Sequence, residues 1–418
     1  MDQPAFPGCA ARLIGVIEGE QVEGKKKLKT RGKPLNRSVV RSIRRMGELL
    51  HLNEQEIQGR VSESSRMRVA LIAPPFISVP PVGYGGTELF VANLAEALLR
   101  LGVEVDVYAN GDSRVKANLR SRYPRQDWPL SSETSGLAKE LDHTAWAVDD
   151  AEANCDMIHV SSALAVPFSR FSSRPFVCTL HHPVEGALTD LYERHRTIAY
   201  TAISKHQASL HPTLRARVIH HGLDLSKYRF HEKKQPYVAF LGRICPIKGP
   251  HNAIAIAKRA GIPLKIAGEV QPIFRDYFEK EIRPHLDGHN IEFVGEVGLA
   301  AKNELLGHAT ALLFPIEWQE PFGLTMIESM ACGTPIIAFP GGSVEELIDD
   351  GVSGRVCRNV GEAAAALQRD TFQPKVVRHC AETRFSADAM ARQYYRLYSD
   401  LLRRMPLTAG LNPEETAA

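Results

Sequence analysis

The sequence predicts an α/β protein made of two doubly wound, Rossmann-like halves facing a central cleft. Three observations carry that prediction. Short apolar runs alternate with amphipathic helical stretches through residues 68–228, and the alternation restarts at 237. The runs are apolar on both faces, as expected of parallel strands covered by helices on either side. At 418 residues the chain can fill two cores, since about 150 residues per domain is usual.

In order, residues 68–73 read as a buried strand, 74–86 as a Pro/Gly loop, and 87–101 as an amphipathic helix stopped by Gly102. Strands follow at 103–109, 155–160 and 175–180, and the charged stretch 228–235 reads as the linker. Beyond it, 237–241 is a strand and 250–261 a helix, with further strands at 264–267, 291–294 and 311–314. A helix over 324–331 leads to an apolar strand at 335–339. The Gly-Gly turn at 341–342 and a hairpin-like corner at Gly351 and Gly354 come next. Residues 385–402, with Tyr394, Tyr395 and Tyr398, close the chain as a helix. The expected domains are therefore a basic extension over 1–66, a first half over 67–228, a second over 229–385, and a final helix and tail over 386–418.

Composition narrows the function classes. The chain is 44% hydrophobic and 24% charged, ordinary for a globular protein, and no apolar run reaches the ~18 residues that would span a bilayer. Its first residues lack a secretory pattern. Seven cysteines, an odd number with no Cys-x-x-Cys pair, point to reduced thiols in the cytoplasm rather than to disulfides or zinc. The net charge of +3 is uneven: residues 1–66 hold thirteen Lys/Arg against eight Asp/Glu, so the remaining chain carries −2. A near-neutral body argues against nucleic acid as a partner.

The most informative stretch is Glu320-Pro321-Phe322-Gly323-Leu324-Thr325-Met326-Ile327-Glu328. It sets two carboxylates eight positions apart across a Pro-Phe-Gly break that leads into a helix. A helix starting near Gly323 offers unpaired backbone N–H groups and a positive dipole end, which favour phosphate. Glu320 stands at that end, and Glu328 lies about 8 Å beyond Gly323 at ~1.5 Å per residue. Such a pair suits a nucleotide sugar, with sugar hydroxyls at Glu320 and the ribose diol at Glu328.

Set beside Ala331-Cys332-Gly333-Thr334-Pro335, this segment resembles the retaining glycosyltransferases of family 4, the glycosyl transferases group 1, which have the GT-B fold. The resemblance runs from Met67 to about Tyr398. It implies an enzyme that moves a sugar from a nucleotide-diphosphate sugar to an acceptor hydroxyl with retained anomeric configuration, without metal or cofactor. It also implies that the final helix crosses back to brace the first half. Attack would come from the face that the diphosphate leaves, and a phosphate oxygen would take the hydroxyl proton, so no strong general base is required. The chain has no Asp-x-Asp motif, and Asp149 and Asp150 fall in an expected loop. UDP, GDP and ADP all remain open as the donor's nucleotide, UDP being favoured by its frequency. Glycan, lipid-linked and small-molecule acceptors remain open too.

Other motifs supply the remaining candidates. Arg243 and Lys248, after the strand at 237–241, would otherwise be two solvated cations. In that position they can offset a diphosphate, Arg243 as a fork and Lys248 as a point charge. The resemblance assigns them that role. The loop Pro80-Pro81-Val82-Gly83-Tyr84-Gly85-Gly86 ends a strand without a dinucleotide or Walker fingerprint, and the resemblance brings Gly85 and Gly86 to the donor phosphate. Backbone at Phe322, Gly323, Leu324 and Thr325 completes the donor set with Glu328. In Thr179-Leu180-His181-His182, the family's frequent active-site histidine falls at His181, catalytic with Glu320, though a register using His182 stays open. His159 follows a similar strand pattern and is a weaker candidate for the acceptor cleft. Gly341-Gly342 and Glu346 are expected to be structural, with Glu346 orienting its neighbours. Where the family often has Asn-Gly-x-Asp, this chain reads His221-Gly222-Leu223-Asp224.

Residues 1–66 match nothing in the family. Leu35, Val39, Ile43, Met46 and Leu50 form one helical face beside Arg41, Arg44 and Arg45, which can lie on anionic lipid as a peripheral membrane contact. A solvated, partly ordered tail is the preferred reading. Three rivals to a transferase remain: a sugar-nucleotide epimerase of the same fold, a GT-B phosphorylase, and a module that binds a sugar nucleotide without turning it over. A phosphorylase would need a pyridoxal-phosphate lysine or an orthophosphate site. The intact Arg243, Lys248, Glu320 and Glu328 favour the transferase.

Overall fold

The structure is a computed structural model and describes residues 66–83, 85–128 and 132–404, with the backbone of a two-stranded ribbon at Lys29–Thr30 and Lys33–Pro34. The basic face expected within 35–50 lies outside the described residues. From Met67 onward the described residues form one compact unit.

Seven parallel strands make the first sheet: β1 Arg68–Ile72, β2 Glu104–Tyr108, β3 Asn118–Arg120, β4 Met157–Val160, β5 Phe176–Leu180, β6 Ala199–Ala202 and β7 Arg217–Val218. Their order is β3-β2-β1-β4-β5-β6-β7. Six more make the second: β8 Val238–Leu241, β9 Leu264–Ala267, β10 Ile291–Gly295, β11 Ala311–Phe314, β12 Ile336–Ala338 and β13 Gly354–Val356, in the order β10-β9-β8-β11-β12-β13. Both sheets are doubly wound. In each the order reverses beside the first strand, and crevices for ligands open there at the strands' carboxyl ends.

Alternation within each central strand explains the layers. Val69 and Leu71 enter one core while Ala70 and Ile72 enter another on the opposite face of the sheet. In β8, Ala239 and Leu241 likewise point away from Val238 and Phe240. Helix α1, Gly86–Arg100, buries Phe90, Leu94 and Leu98 against β1 and ends where Gly102 turns left-handed at φ 79°.

Two findings differ from the sequence reading. Gly354 does not turn a hairpin; it opens β13, which pairs parallel with β12. A 22-residue helix, α2 Glu133–Asn154, fills a region for which no element was expected, and it carries Asp149 and Asp150, which the sequence reading placed in a loop. The final helix, α3 Ala387–Arg404, behaves as the resemblance implied. Met390, Tyr394, Leu397 and Tyr398 sit at helical spacing and are buried in the first sheet's core. Each such side chain contributes about 1.5–3 kcal/mol by leaving water. Tyr398 Oη and His159 Nδ1 are 2.7 Å apart, and Tyr394 Oη is 2.9 Å from Thr179 Oγ1.

Candidate active site

The site grows from helix α4, Leu324–Ala331, which follows β11. Gly323 precedes it at φ 85° and ψ 69°, a left-handed conformation disfavoured for other residues. A Cβ there would meet Met326 Cε at 2.6 Å and Phe314 Cζ at 3.3 Å. No side chain caps this helix; the Met326 amide turns back to Gly323 O at 3.0 Å, while those of Leu324 and Thr325 meet no acceptor among the described residues and remain available to a ligand. The loop before it is clamped from below. Ser343 N donates to Glu320 O at 2.9 Å and Ser343 Oγ to Phe322 O at 2.7 Å. A Cβ on Gly342 would lie 2.1 Å from Glu320 O, so only glycine permits this approach. The Gly-Gly turn is thus structural, and what it fixes is the Glu320 loop. The Phe322 side chain is buried in the core, leaving its backbone for any donor contact.

Both glutamates are buried, and both are presented in the same way. Glu320 Oε2 accepts from Lys248 Nζ at 2.5 Å and from Trp318 Nε1 at 3.0 Å. Glu328 Oε1 accepts from Lys302 Nζ at 2.7 Å and from Tyr228 Oη at 2.8 Å. In each case one lysine and one aromatic donor converge on a single oxygen. The other oxygen receives no hydrogen bond from the described residues. Burial, and then the Glu328 charge, push the Tyr228 hydroxyl well above its ordinary range, so it stays a donor.

Lys248 arrives on a tight turn after β8. Glu317 N donates to Ile247 O at 2.8 Å, which ties that turn to the strand leading to Glu320. Arg243, at the end of β8, is close enough to Glu269 to oppose a raised carboxyl pKa there; burial and then Glu296 raise it. From the first sheet, Gly86 faces the start of α4: a Cβ on it would be 3.4 Å from Leu324 Cδ1. Gly85 caps α1 without a side chain. In the first turn of α1, Glu88 is buried, and desolvation pushes its carboxyl up to about 7.

The structure distinguishes the two neighbouring histidines. His182 is exposed, whereas His181 Nε2 is buried with no hydrogen-bond partner among the described residues. The His181 ring stacks on His221, centroids 5.5 Å apart and planes 13° apart, and His221 meets Phe322 edge-on at 4.9 Å. The family's asparagine position therefore joins His181 to the Glu320 loop. Burial, then the neighbouring His221, holds His181 well below the ordinary imidazole range. It is neutral near pH 7 and can exchange a hydrogen bond with a hydroxyl.

His159 does not line a cleft. It lies in β4, 2% exposed, with Nδ1 on Tyr398 and Nε2 2.7 Å from Thr179 Oγ1. Burial explains its pKa of about 3. Glu346 accepts from the Lys205 and His206 amides and pairs with His220 at 2.6 Å, so it does orient its neighbours. Sequence reasoning missed Trp318, Tyr228 and Lys302. Only Trp318, two positions before Glu320, gave a visible signal.

Comparison with known proteins bears on the family and the fold. Residues 84–227 match Glycosyltransferase Family 4, and residues 225–371 match Glycosyl transferases group 1. A D-inositol 3-phosphate glycosyltransferase of Mycolicibacterium smegmatis is 28% identical over 401 residues, covering 78% of this chain and 89% of that protein. The phosphatidyl-myo-inositol mannosyltransferase of the same species is 25% identical, covering 84% and 99%. Among solved structures, sucrose-phosphate synthase from Thermosynechococcus elongatus superposes with a TM-score of 0.69 at 20% identity, covering 81% and 100%. That likeness concerns the GT-B fold.

Proposed function

Because the chain belongs to glycosyltransferase family 4, the glycosyl transferases group 1, we propose that it transfers a sugar from a nucleotide-diphosphate sugar, UDP first among the candidates, with retention of configuration. The observation that carries this reading is the pair of buried glutamates along α4, each with one oxygen committed to protein and one left for a ligand. Glu320 takes hydroxyls of the transferred sugar and Glu328 takes the ribose diol. The first amides of α4, with Arg243 and Lys248, bear the diphosphate. Gly85 and Gly86 let the first sheet's loop approach it. The bond from the anomeric carbon to the diphosphate oxygen breaks as the acceptor oxygen bonds to that carbon on the same face. The acceptor proton passes to a diphosphate oxygen, and neutral His181 hydrogen-bonds the sugar.

Neither a metal nor a cofactor is needed for these steps. The relatives' names, an inositol-phosphate glycosyltransferase and a phosphatidylinositol mannosyltransferase, support a small-molecule or lipid-linked hydroxyl as acceptor. No helix among the described residues is long and apolar enough to cross a membrane. The six described cysteines are unpaired and buried, which fits a reducing cytoplasm.

The test offers UDP-glucose, GDP-mannose and ADP-glucose to the full chain with myo-inositol, inositol phosphate or phosphatidylinositol as acceptor, in the presence of EDTA. One donor is expected to be consumed, with a product of unchanged anomeric configuration by NMR and with Glu320→Gln inactive. Binding of none of the three donors would remove the reading.

A further inference from the structure

Trp318 has no role in the donor site as set out above, yet it touches both charged groups at the sugar end. Its indole Nε1–H donates to Glu320 Oε2 at 3.0 Å, and its ring lies under Lys248 Nζ at 4.4 Å from the centroid. Lys248 reaches the same Oε2 at 2.5 Å, so lysine, indole and carboxylate form a closed triangle. The lysine and glutamate side chains are only 15% and 8% exposed. Water therefore does little to fix their orientation, and protein donors must do it.

The triangle has a directional consequence. A carboxylate held by one lysine can rotate and offer either oxygen, because an ammonium is a point charge without a preferred plane. Adding a rigid indole donor to the same oxygen fixes the carboxylate plane. Oε2 is then committed to protein, while Oε1 receives nothing from the described residues. Tyr228 stands in the same relation to Glu328 and Lys302.

We propose that Trp318 is a positioning residue for glycosyl transfer: it locks the Lys248–Glu320 pair so that Glu320 Oε1 faces the hydroxyls of the transferred sugar. The inference rests on the donor-site reading above and extends it to a residue that acts through Glu320. The ring also holds the Lys248 ammonium by a cation–π contact, which limits its excursion when a diphosphate arrives.

Calorimetric titration of the full chain separates the two ideas. Titration with UDP and UDP-glucose, then GDP and GDP-mannose, then ADP and ADP-glucose, selects the pair that the wild-type protein binds. Trp318→Phe keeps a ring beside Lys248, fills most of the same half-buried space and loses only the N–H. Its affinity for the free nucleotide is expected within twofold of wild type, which reports an intact fold. Its affinity for the nucleotide sugar is expected to fall about tenfold, as for one lost charge-assisted hydrogen bond. An equal loss for nucleotide and nucleotide sugar would reduce Trp318 to packing, and no loss for either would make its N–H idle; both overturn the inference. If the wild-type protein binds none of the pairs, the donor-site reading itself fails and this inference fails with it.

Discussion

Replacing Glu328 with glutamine tests whether that carboxylate serves the ligand or only the fold. The substitution keeps side-chain length and one acceptor oxygen, and removes the charge to which Lys302 and Tyr228 donate at 2.7 and 2.8 Å. Glu328 is 1% exposed, and the Lys302 side chain only 17%. Removing one partner of a buried pair costs about 3–5 kcal/mol, since the other charge is left unpaired. Here the amide oxygen still accepts from Tyr228, so about 3 kcal/mol is expected, read as a lower urea midpoint. Nucleotide affinity should fall by about tenfold, because a charged acceptor is roughly twice as strong as a neutral one toward the ribose diol. The decisive variant is Glu328→Gln combined with Lys302→Met, which removes both charges. Stability should largely return, because no charge is stranded, while nucleotide affinity stays low. If affinity returned together with stability, Glu328 would be a structural ion-pair partner and the ribose assignment would be wrong.

Two other perturbations follow from the same geometry. Burial holds His159 and His221 at about 3, and His181 well below its ordinary value, so the unfolded chain takes up protons first as pH drops below about 6.5. Their contribution to stability is complete above that pH and is lost as pH falls from 6.5 toward 3, at roughly 1.4 kcal/mol per pH unit for each histidine. Urea midpoints at pH 7.5, 6.0 and 5.0 should therefore decline steeply, and His221→Asn should flatten the decline; an unchanged slope would contradict the neutral buried state. At the helix start, Gly323→Ala forces alanine into the left-handed region at a cost of about 1–2 kcal/mol and shifts the first amides of α4. A Cβ there also presses on Met326 Cε at 2.6 Å, so nucleotide affinity should fall in the alanine variant, and an alanine variant equal to wild type would show that those amides do not bind phosphate.

What was legible in the sequence follows from how local each signal is. The central strands of both sheets are continuous apolar runs, so β1, β4, β5, β8 and β11 can be read without tertiary information. By contrast, β3 reads Asn-Leu-Arg and β7 is only Arg217–Val218; short edge strands are defined by the neighbour they pair with rather than by their own composition. α2 is polar along much of its length, and its buried stripe of His143, Thr144, Ala147, Val148 and Ala151 is made of small or polar residues, which hides its period. β13 was misread because glycines flanking a turn look alike whether the chain returns antiparallel or enters a parallel edge. The site divides along the same line. Glu320, Gly323 and Glu328 share one segment, so their spacing is visible. Tyr228 reaches Glu328 across 100 positions, and only the fold brings them together. His159 looked like a cleft residue because the pattern after a strand resembles that of His181. However, β4 is covered on both faces, and a side chain pointing into either layer is core.

The two glutamate sites share one construction, a lysine and an aromatic donor on a single carboxylate oxygen. A lone carboxylate buried beside a phosphate-binding helix end would be repelled by the incoming diphosphate and would favour its protonated form. Pairing each glutamate with its own lysine brings the two ends of α4 close to electrical neutrality, so neither lysine depends on the ligand for its counter-charge. Lys248 can then turn part of its field toward a diphosphate while Trp318 still holds the carboxylate in place. In the proposed donor pose Lys302 sits at the far end, beside the uncharged ribose, and need not move. The asymmetry predicts which pair is dynamic. On nucleotide binding, the Lys248 ammonium should change environment, visible as a shift in its side-chain NMR resonance, while that of Lys302 stays fixed. Equal shifts at both lysines would mean that the diphosphate is not carried at the Gly323 end.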